Sequence, residues 1–167
     1  MAGMINQLVD VMNDQAERYN ELLGLSLEEK DLLVKNDIEG IQKITNLKNL
    51  VITQNNRLER KRISLVKDIA EVLGHSSQEE LSLAELIELV GEQPEAEQLT
   101  EIGKRLREIL EKLQESNNLN KQLLESSLDY VNYTLNMIQS SISPDLANYP
   151  DAGTQGQDVY GSFDTIR

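Results

Sequence analysis

Apolar side chains recur every three or four residues from Met4 to Lys35, which is the period of an amphipathic helix and not of a strand. A first helix is therefore predicted over about residues 4–35. Asn36 and Asp37 interrupt the pattern and are suited to capping the next helix. The stripe consists of Ile5, Leu8, Met12, Ala16, Tyr19, Leu23, Leu27 and Val34.

A seven-residue repeat follows and predicts a second long helix over about residues 38–73. One position of the repeat is apolar throughout, whereas its companion position has polar residues at its centre, as in long antiparallel helix pairs whose register is fixed by a few polar groups. We favour the interpretation in which Lys48 and Arg62 lay their methylene groups on the seam and keep their charges in water. The alternative is that they form ion pairs. The apolar position is Ile44, Val51, Leu58, Leu65 and Val72, and the companion position is Ile41, Lys48, Asn55, Arg62 and Ile69.

The connection that follows, residues 74–100, is acidic, since it has seven Glu and no Lys or Arg. Within it Ser82 and Glu85 have the spacing of a capping box, in which each side chain binds the backbone amide of the other residue. A short helix over about residues 83–90 is therefore predicted inside the connection. Pro94 suits the first turn of the helix after it.

A third long helix is predicted over about residues 95–141, and its apolar pattern changes halfway along. The first half has one narrow stripe, whereas the second half has two rows that lie about 120° apart round the helix. One row is enough to face a helical bundle, so the other needs a different partner. The narrow stripe is Leu99, Ile102, Leu106, Ile109 and Leu113; the two rows are Leu124, Leu128, Val131, Leu135, Ile138 and Ile142, and Leu119, Leu123, Tyr130 and Met137.

These elements predict an all-α protein. We expect an elongated antiparallel bundle of three long helices over residues 1–143, with the short helix in its second connection. Pro144 stops the last helix, and residues 144–167 have neither a helical nor a strand period. They are predicted to form a flexible C-terminal tail.

Composition narrows the choice of partners. Apolar residues make up 39% and aromatic residues 4% of the chain, which favours elongated helical packing over a thick globular core. The net charge of -13 would repel nucleic acid and anionic membranes, so a neutral or basic protein partner is expected. With no Cys, no long apolar run and no signal-peptide pattern, the chain is expected to be cytoplasmic, without membrane insertion.

Candidate chemistry for catalysis is sparse. The one histidine, His75, has no Cys or second His with which to form a nucleophile–base pair or a metal site, and no glycine-rich phosphate loop is found. We therefore expect no enzymatic activity, no cofactor and no metal. The basic run at residues 57–62, RLERKR, could meet an acidic partner or RNA, but a solvated helix face is the favoured interpretation.

Two segments resemble a known family, the FlgN-type flagellar export chaperones. LEEKDLLVKNDIEGIQKI, residues 27–44, is similar to the family's pattern of Glu-Lys, paired leucines and a polar turn leading into aliphatic residues. NNLNKQLLESSLDYVNYTLNMI, residues 117–138, resembles its third-helix signature, and the terminal YGSFDTIR resembles the tails of some members. The resemblance implies an all-helical chaperone that holds hook-filament junction proteins, the hook-associated flagellar proteins, by their C-terminal segments and delivers them to the flagellar export apparatus.

The wide apolar arc of the third long helix would then bind the amphipathic helices of the client. Tyr130 and Tyr133, whose rings combine apolar faces with a hydroxyl, are assigned to contact with the export gate. The alternatives are that these rows are ordinary bundle core, or that the protein is a structural coiled-coil adaptor forming a homodimer through this helix. The predicted client-binding residues are Leu123, Leu124, Leu128, Val131, Leu135, Ile138 and Ile142.

Overall fold

The computed structural model describes residues 2–75 and 81–142, and of residue 142 it describes the backbone alone. The described residues form four helices and no strand: α1 (Ala2–Lys35), α2 (Ile38–Val72), α3 (Leu83–Val90) and α4 (Pro94–Ile142). The prediction of an all-α fold with three long helices and one short helix is confirmed. The predicted tail lies outside the described residues. The chain divides into two compact units, Met1–Ser127 and Leu128–Arg167, and α4 belongs to both.

A tight turn joins α1 to α2. Asn36 has a positive φ of 54°, a conformation that Asn tolerates better than most residues. The Asp37 carboxylate accepts a hydrogen bond from Gly40 N at 3.0 Å, which caps the first turn of α2 as its N-cap residue. Only Asn36 and Asp37 separate the end of α1 from the start of α2, so the chain reverses its direction within two residues.

Side-chain contacts show that α1 and α2 are antiparallel. Gln15 Nε2 donates to Glu59 at 2.8 Å, whereas Glu29, nearer the turn, pairs with Lys48 at 2.7 Å. Residue numbers thus rise along α1 while they fall along α2. This is the antiparallel pairing that the seven-residue repeat predicts.

The core of the first unit draws side chains from all four helices. Ile5 and Leu8 of α1 lie against Ile69 of α2, Leu86 of α3 and Leu99 of α4, and each is essentially inaccessible to solvent. Burying a side chain of this size stabilises a fold by about 1.5 to 3 kcal/mol. Of the narrow stripe predicted for the first half of α4, Leu99, Ile102 and Ile109 are buried here, Leu106 is half-buried, and Leu113 is buried in a second, smaller cluster.

The short helix α3 is fixed at both of its ends and on one face. Its capping box is formed, because Glu85 N donates to Ser82 Oγ at 3.3 Å and Ser82 N donates to Glu85 Oε2 at 2.8 Å. The hydrogen bonds from Ser82 hold the pKa of Glu85 below its ordinary value. A Cβ on Gly103 would lie 2.6 Å from Leu83 Cδ2, so α3 packs closely on α4 at a glycine. The acidic connection thus contributes to the core.

Some residues of the predicted stripes are exposed instead. In α1 the buried line runs through Ser26 and Leu33, so Leu27 and Val34, each about 100° further round the helix, are exposed. In α2 the last buried residues are Ile69 and Ala70, and Val72 at the end of the helix is exposed. The sequence pattern identified the apolar side of each helix, but not which edge of it faces the neighbouring helices.

Candidate binding surface

A small apolar cluster precedes the candidate surface within the first unit. Leu22 of α1, Val51 of α2 and Leu113 of α4 pack together there, one from each long helix. Since Leu22 meets Leu113 and Ser26 meets Ser116, residue numbers rise together in α1 and α4, and the two helices are parallel. This cluster is the last set of buried apolar side chains that all three long helices share.

A buried polar layer follows this cluster. Ser26, which is fully buried, contacts Ser116 Oγ at 2.8 Å and Asn117 Oδ1 at 2.9 Å. Asn120 Nδ2 donates to Ser26 O at 2.7 Å and to Glu29 Oε2 at 2.9 Å. These contacts join α1 to α4, and because hydrogen bonds are directional they fix the register of the two helices.

An ion pair extends the polar layer to α2. Lys48 Nζ lies 2.7 Å from Glu29 Oε2, the atom that Asn120 also contacts, and the two charged side chains are only 19% and 15% exposed. The interpretation that Lys48 keeps its charge in water is therefore wrong, because Glu29 lies close enough to neutralise it. Arg62 is also paired, with Glu59 of its own helix at 2.6 Å. Asn55, which lies between Lys48 and Arg62 at the companion position of the seven-residue repeat in α2, is buried.

Beyond the polar layer the large apolar side chains of α4 are exposed. Members of the first row, from Leu124 to Ile138, are each between 47% and 55% exposed. Leu119, Tyr130 and Met137 of the second row are exposed too, and Leu123 is half-buried. The prediction that one row faces the bundle is therefore wrong for these positions, since both rows face solvent. The side chain of Ile142 lies outside the described part.

The predicted site residues fall in both units. Leu123 and Leu124 lie in the first unit, while the remaining described ones lie on the α4 segment of the second unit. Tyr130 and Tyr133 are 71% and 63% exposed, respectively. An isolated exposed leucine would need no explanation, but a run of exposed large side chains along one helix marks an interaction surface. The first-row residues of the second unit are Leu128, Val131, Leu135 and Ile138.

Several hydroxyl side chains along this segment donate to carbonyl groups of their own helix. Ser127 Oγ donates to Leu123 O at 2.9 Å, Thr134 Oγ1 to Tyr130 O at 2.9 Å, and Ser140 Oγ to Asn136 O at 2.8 Å. Side chains bonded in this way offer few donors to a partner. These hydroxyl groups are thus less available to a partner than the exposed apolar side chains beside them.

Charge is sparse on the same segment. Between residues 122 and 141 the only charged side chains are Glu125 and Asp129, and no basic side chain occurs. Charge on this segment therefore contributes little to the choice of partner, and its two carboxylates disfavour acidic partners. Apolar contact is the main interaction that this part of α4 can offer.

Other candidate chemistry is weak in the described part of the chain. No group of three or more His, Cys, Asp or Glu residues is placed to hold a metal ion there. A shallow, charged cleft between α1 and α2 is lined by Asp14, Glu17, Arg18, Gln54, Arg57 and Leu58. No helix of the described residues combines the length and the apolar character needed to cross a membrane.

Sequence reasoning missed the buried polar layer, although two signals were present. Ser26 continues the buried line of α1, four residues after Leu22, where an apolar residue would be expected. Ser116 and Asn120 likewise continue the narrow stripe of α4 after Leu113. Polar residues at the same step of two stripes indicate that the helices contact each other through hydrogen bonds there.

Comparison with known protein families gives a match over most of the chain. A family model described as FlgN protein matches residues 1–157. No curated protein and no solved structure matches the chain. The matched range contains all four helices, so it includes both the core and the exposed rows of α4.

Proposed function

The chain belongs to the FlgN family of flagellar export chaperones, and from this premise we propose that it binds the C-terminal helical segments of hook-filament junction proteins and holds them before secretion. The family supports a hook-associated flagellar protein as the kind of partner. The observation that carries the proposal is the run of exposed apolar side chains on α4 after the polar layer. The proposal places this binding in the cytoplasm.

The spacing of the first row specifies the shape of the partner. Successive members from Leu124 to Ile138 are four, three, four and three residues apart, which is the alternation of a coiled-coil seam. A client helix can lay its own apolar stripe along this seam, so that both helices lose exposed apolar surface. Each square ångström of apolar surface removed from water contributes about 25 cal/mol, less the cost of ordering the client. The client-binding residues that we propose are Leu123, Leu124, Leu128, Val131, Leu135, Ile138 and Ile142.

Two tyrosines are proposed to contact the export apparatus. Tyr133 lies about 200° round the helix from Val131, on the side away from the first row. Tyr130 lies about 100° from Val131, at the edge of a client bound there. Both rings are largely exposed, and each pairs an apolar face with a hydroxyl group, so they suit a surface that must stay accessible when the client is bound.

The alternative function is a structural coiled-coil adaptor that pairs with a second copy of itself. The same heptad spacing favours it, since a seam suited to a client helix is also suited to another α4. The two functions differ in the protein that covers the first row of α4, which is a client helix in the chaperone and a second copy of α4 in the adaptor. The adaptor is a stable dimer without a client, whereas the chaperone is a monomer that forms a defined complex.

Sedimentation velocity of the purified chain, with and without a synthetic peptide of a junction-protein C-terminal segment, tests the proposal. We expect a monomer that converts to a complex with one peptide per chain. A peptide in which the apolar positions are replaced by Ser is the control and should leave the monomer unchanged. A stable dimer that ignores both peptides would reject the chaperone and support the adaptor.

A further inference from the structure

The outward side of α2 carries an unusual concentration of positive charge. Residues 57–67 contain five basic residues and one acidic residue, a net charge of +4. Because the whole chain carries -13, the other 156 residues carry -17, which is -13 minus +4. Arg57, Arg60, Lys61 and Lys67 are all exposed. Arg60 and Lys67 lie about 140° to 160° round the helix from buried Leu65, whereas Arg57 and Lys61 lie nearer the edge of the buried side, about 80° and 40° from it.

Within the described residues these exposed basic side chains form no ion pair, although Asp14 and Glu17 of α1 line the same cleft as Arg57. Glu59, the one acidic residue within 57–67, accepts hydrogen bonds from Arg62 at 2.6 and 2.8 Å and from Gln15 at 2.8 Å. Two exposed carboxylates, Asp68 and Glu71, follow on the same side of α2 as the basic residues. In the described ranges no carboxylate lies within ion-pair distance of Arg57, Lys61 or Lys67. The same holds for Arg60, whose Nε donates to the carbonyl of Asn56 in its own helix at 3.3 Å.

We propose that this face is a second docking surface, which binds an acidic amphipathic helix of a protein other than the client. We call it the basic face and define it as Arg57, Arg60, Lys61 and Lys67. From Arg57 to Lys67 it extends about 15 Å along α2, close to three helical turns. Glu or Asp residues repeated every three or four positions along a partner helix match this length and spacing.

An apolar side chain beside the basic face supports a helical protein partner. Ile63 is 39% exposed and lies about 60° round the helix from Arg60. Ile52, eleven residues earlier and equally exposed, continues the same line along α2. A partner helix with an acidic stripe and an adjoining apolar stripe would therefore meet both kinds of side chain, whereas a purely charged ligand would leave Ile52 and Ile63 uncovered.

The overall charge favours an acidic helix over a long polyanion. Screening at physiological salt limits charge interactions to about 8 Å, so a short helix responds mainly to the basic face. A long nucleic acid or an anionic membrane extends past it and meets the surrounding acidic surface, which repels it. The basic face spans about three turns and is flanked by isoleucines, with no aromatic residue between positions 52 and 67 for stacking on bases.

Two labelled peptides serve as probes. The first is a helical peptide with Glu and Leu on one face, and the second, the control, has the same composition with these residues scattered along its sequence. Binding to the full chain is measured by fluorescence anisotropy. Arg60→Glu/Lys61→Glu/Lys67→Glu should weaken binding of the first peptide at least about tenfold, because three attractive charges become repulsive. The matched variant is Lys104→Glu/Arg105→Glu/Arg107→Glu, which changes three exposed bases of α4 and the same total charge. It should change affinity less than about twofold.

Several outcomes would overturn the inference. Equal weakening by the two triple variants, or equal binding of the two peptides, would show that only total charge matters. Tighter binding of single-stranded RNA or of phosphatidylserine vesicles than of the acidic peptide would assign the basic face to a different partner. Loss of client-peptide binding in the α2 variant would make the basic face part of the client site. Circular dichroism of each variant checks that the helices are retained.

Discussion

Lys48, Glu29 and Asn120 show how single residues determine where three helices meet. The Glu29 carboxylate accepts hydrogen bonds from both of the other two side chains, which belong to α2 and α4. A carboxylate with little solvent access depends on such partners, because water cannot replace them. The polar layer therefore contributes more to the alignment of the helices than an apolar layer of the same size would.

Lys48→Met tests this dependence. The change keeps a long side chain but removes the charge facing Glu29, so we expect the free energy of unfolding in urea to fall by about 1 to 3 kcal/mol, between the values for exposed and buried pairs. Lys43→Met is the matched control, since its partner Glu39 and Lys43 itself are 81% and 72% exposed. The control should cost about 0.5 kcal/mol or less. Equal losses would show that the polar layer has no special role.

Glu59 gives the fold a dependence on acid. The hydrogen bond from Arg62 lowers the pKa of this carboxyl below its ordinary 4.5; partial burial opposes the shift and the hydrogen bond from Gln15 assists it. A carboxyl whose pKa is lower in the folded state stabilises the fold above its unfolded pKa, and that stability is lost as the pH falls through the folded value. The contribution of Glu59 should therefore begin to decline near about pH 4.5 and be lost as the pH falls further, through the lower pKa of the folded state.

Comparison of the chain with its Glu59→Gln variant measures this contribution. The difference in the free energy of unfolding should be largest near about pH 6 and should shrink as the pH falls below about 4.5. Urea titrations of both proteins at a series of pH values provide the difference. A gap that is constant or widens in acid would contradict the assignment.

At the scale of the elements, the sequence predicted the helices well. Each long helix has an apolar stripe, and the capping box of α3 is a local signal that can be read without tertiary contacts. The location of each stripe's partner could not be predicted. Leu27 and Val34 belong to the stripe of α1 yet are exposed, because the neighbouring helices cover the adjacent line through Ser26 and Leu33.

The candidate surface was predictable as an excess of apolar residues, but its extent was not. The width of the arc on α4 indicates that one bundle cannot cover both rows. The apolar periodicity of a helix indicates the direction in which each side chain points. It does not indicate how far along that helix its neighbours extend. The exposure of both rows after residue 123 therefore required the structure.

Replacing two residues of the first row distinguishes a binding surface from a core. Leu128→Ser/Leu135→Ser should weaken binding of the junction-protein peptide at least about tenfold and leave the melting temperature nearly unchanged, because both side chains are already about half exposed. Leu99→Ser is the matched control in the narrow stripe of the same helix. It should cost about 2 to 5 kcal/mol or unfold the chain, since Leu99 is fully buried. A large fall in melting temperature for the double variant would instead identify the row as core.

At the scale of the whole molecule, net charge and exposed apolar surface act together. A charge of -13 makes copies of the chain repel one another, which opposes self-association through the exposed rows. The repulsion weakens as salt screens it, and a client without a large negative charge does not experience it to the same degree. The charge thus favours a monomer that accepts a client over a homodimer.

The last part of α4 is proposed to be an exposed helix until a client covers it. A helix without tertiary packing opens readily, and its backbone amides then exchange with solvent. Hydrogen–deuterium exchange followed by mass spectrometry compares residues 122–141 with residues 99–113 in the same molecule. The second segment is the internal control, because its apolar stripe is buried in the core.

In the free chain we expect fast exchange over residues 122–141 and slow exchange over residues 99–113. Addition of the junction-protein peptide should slow exchange in the first segment and leave the second unchanged. The account is contradicted if residues 122–141 exchange as slowly as residues 99–113 in the free chain and their exchange does not change when the peptide is added.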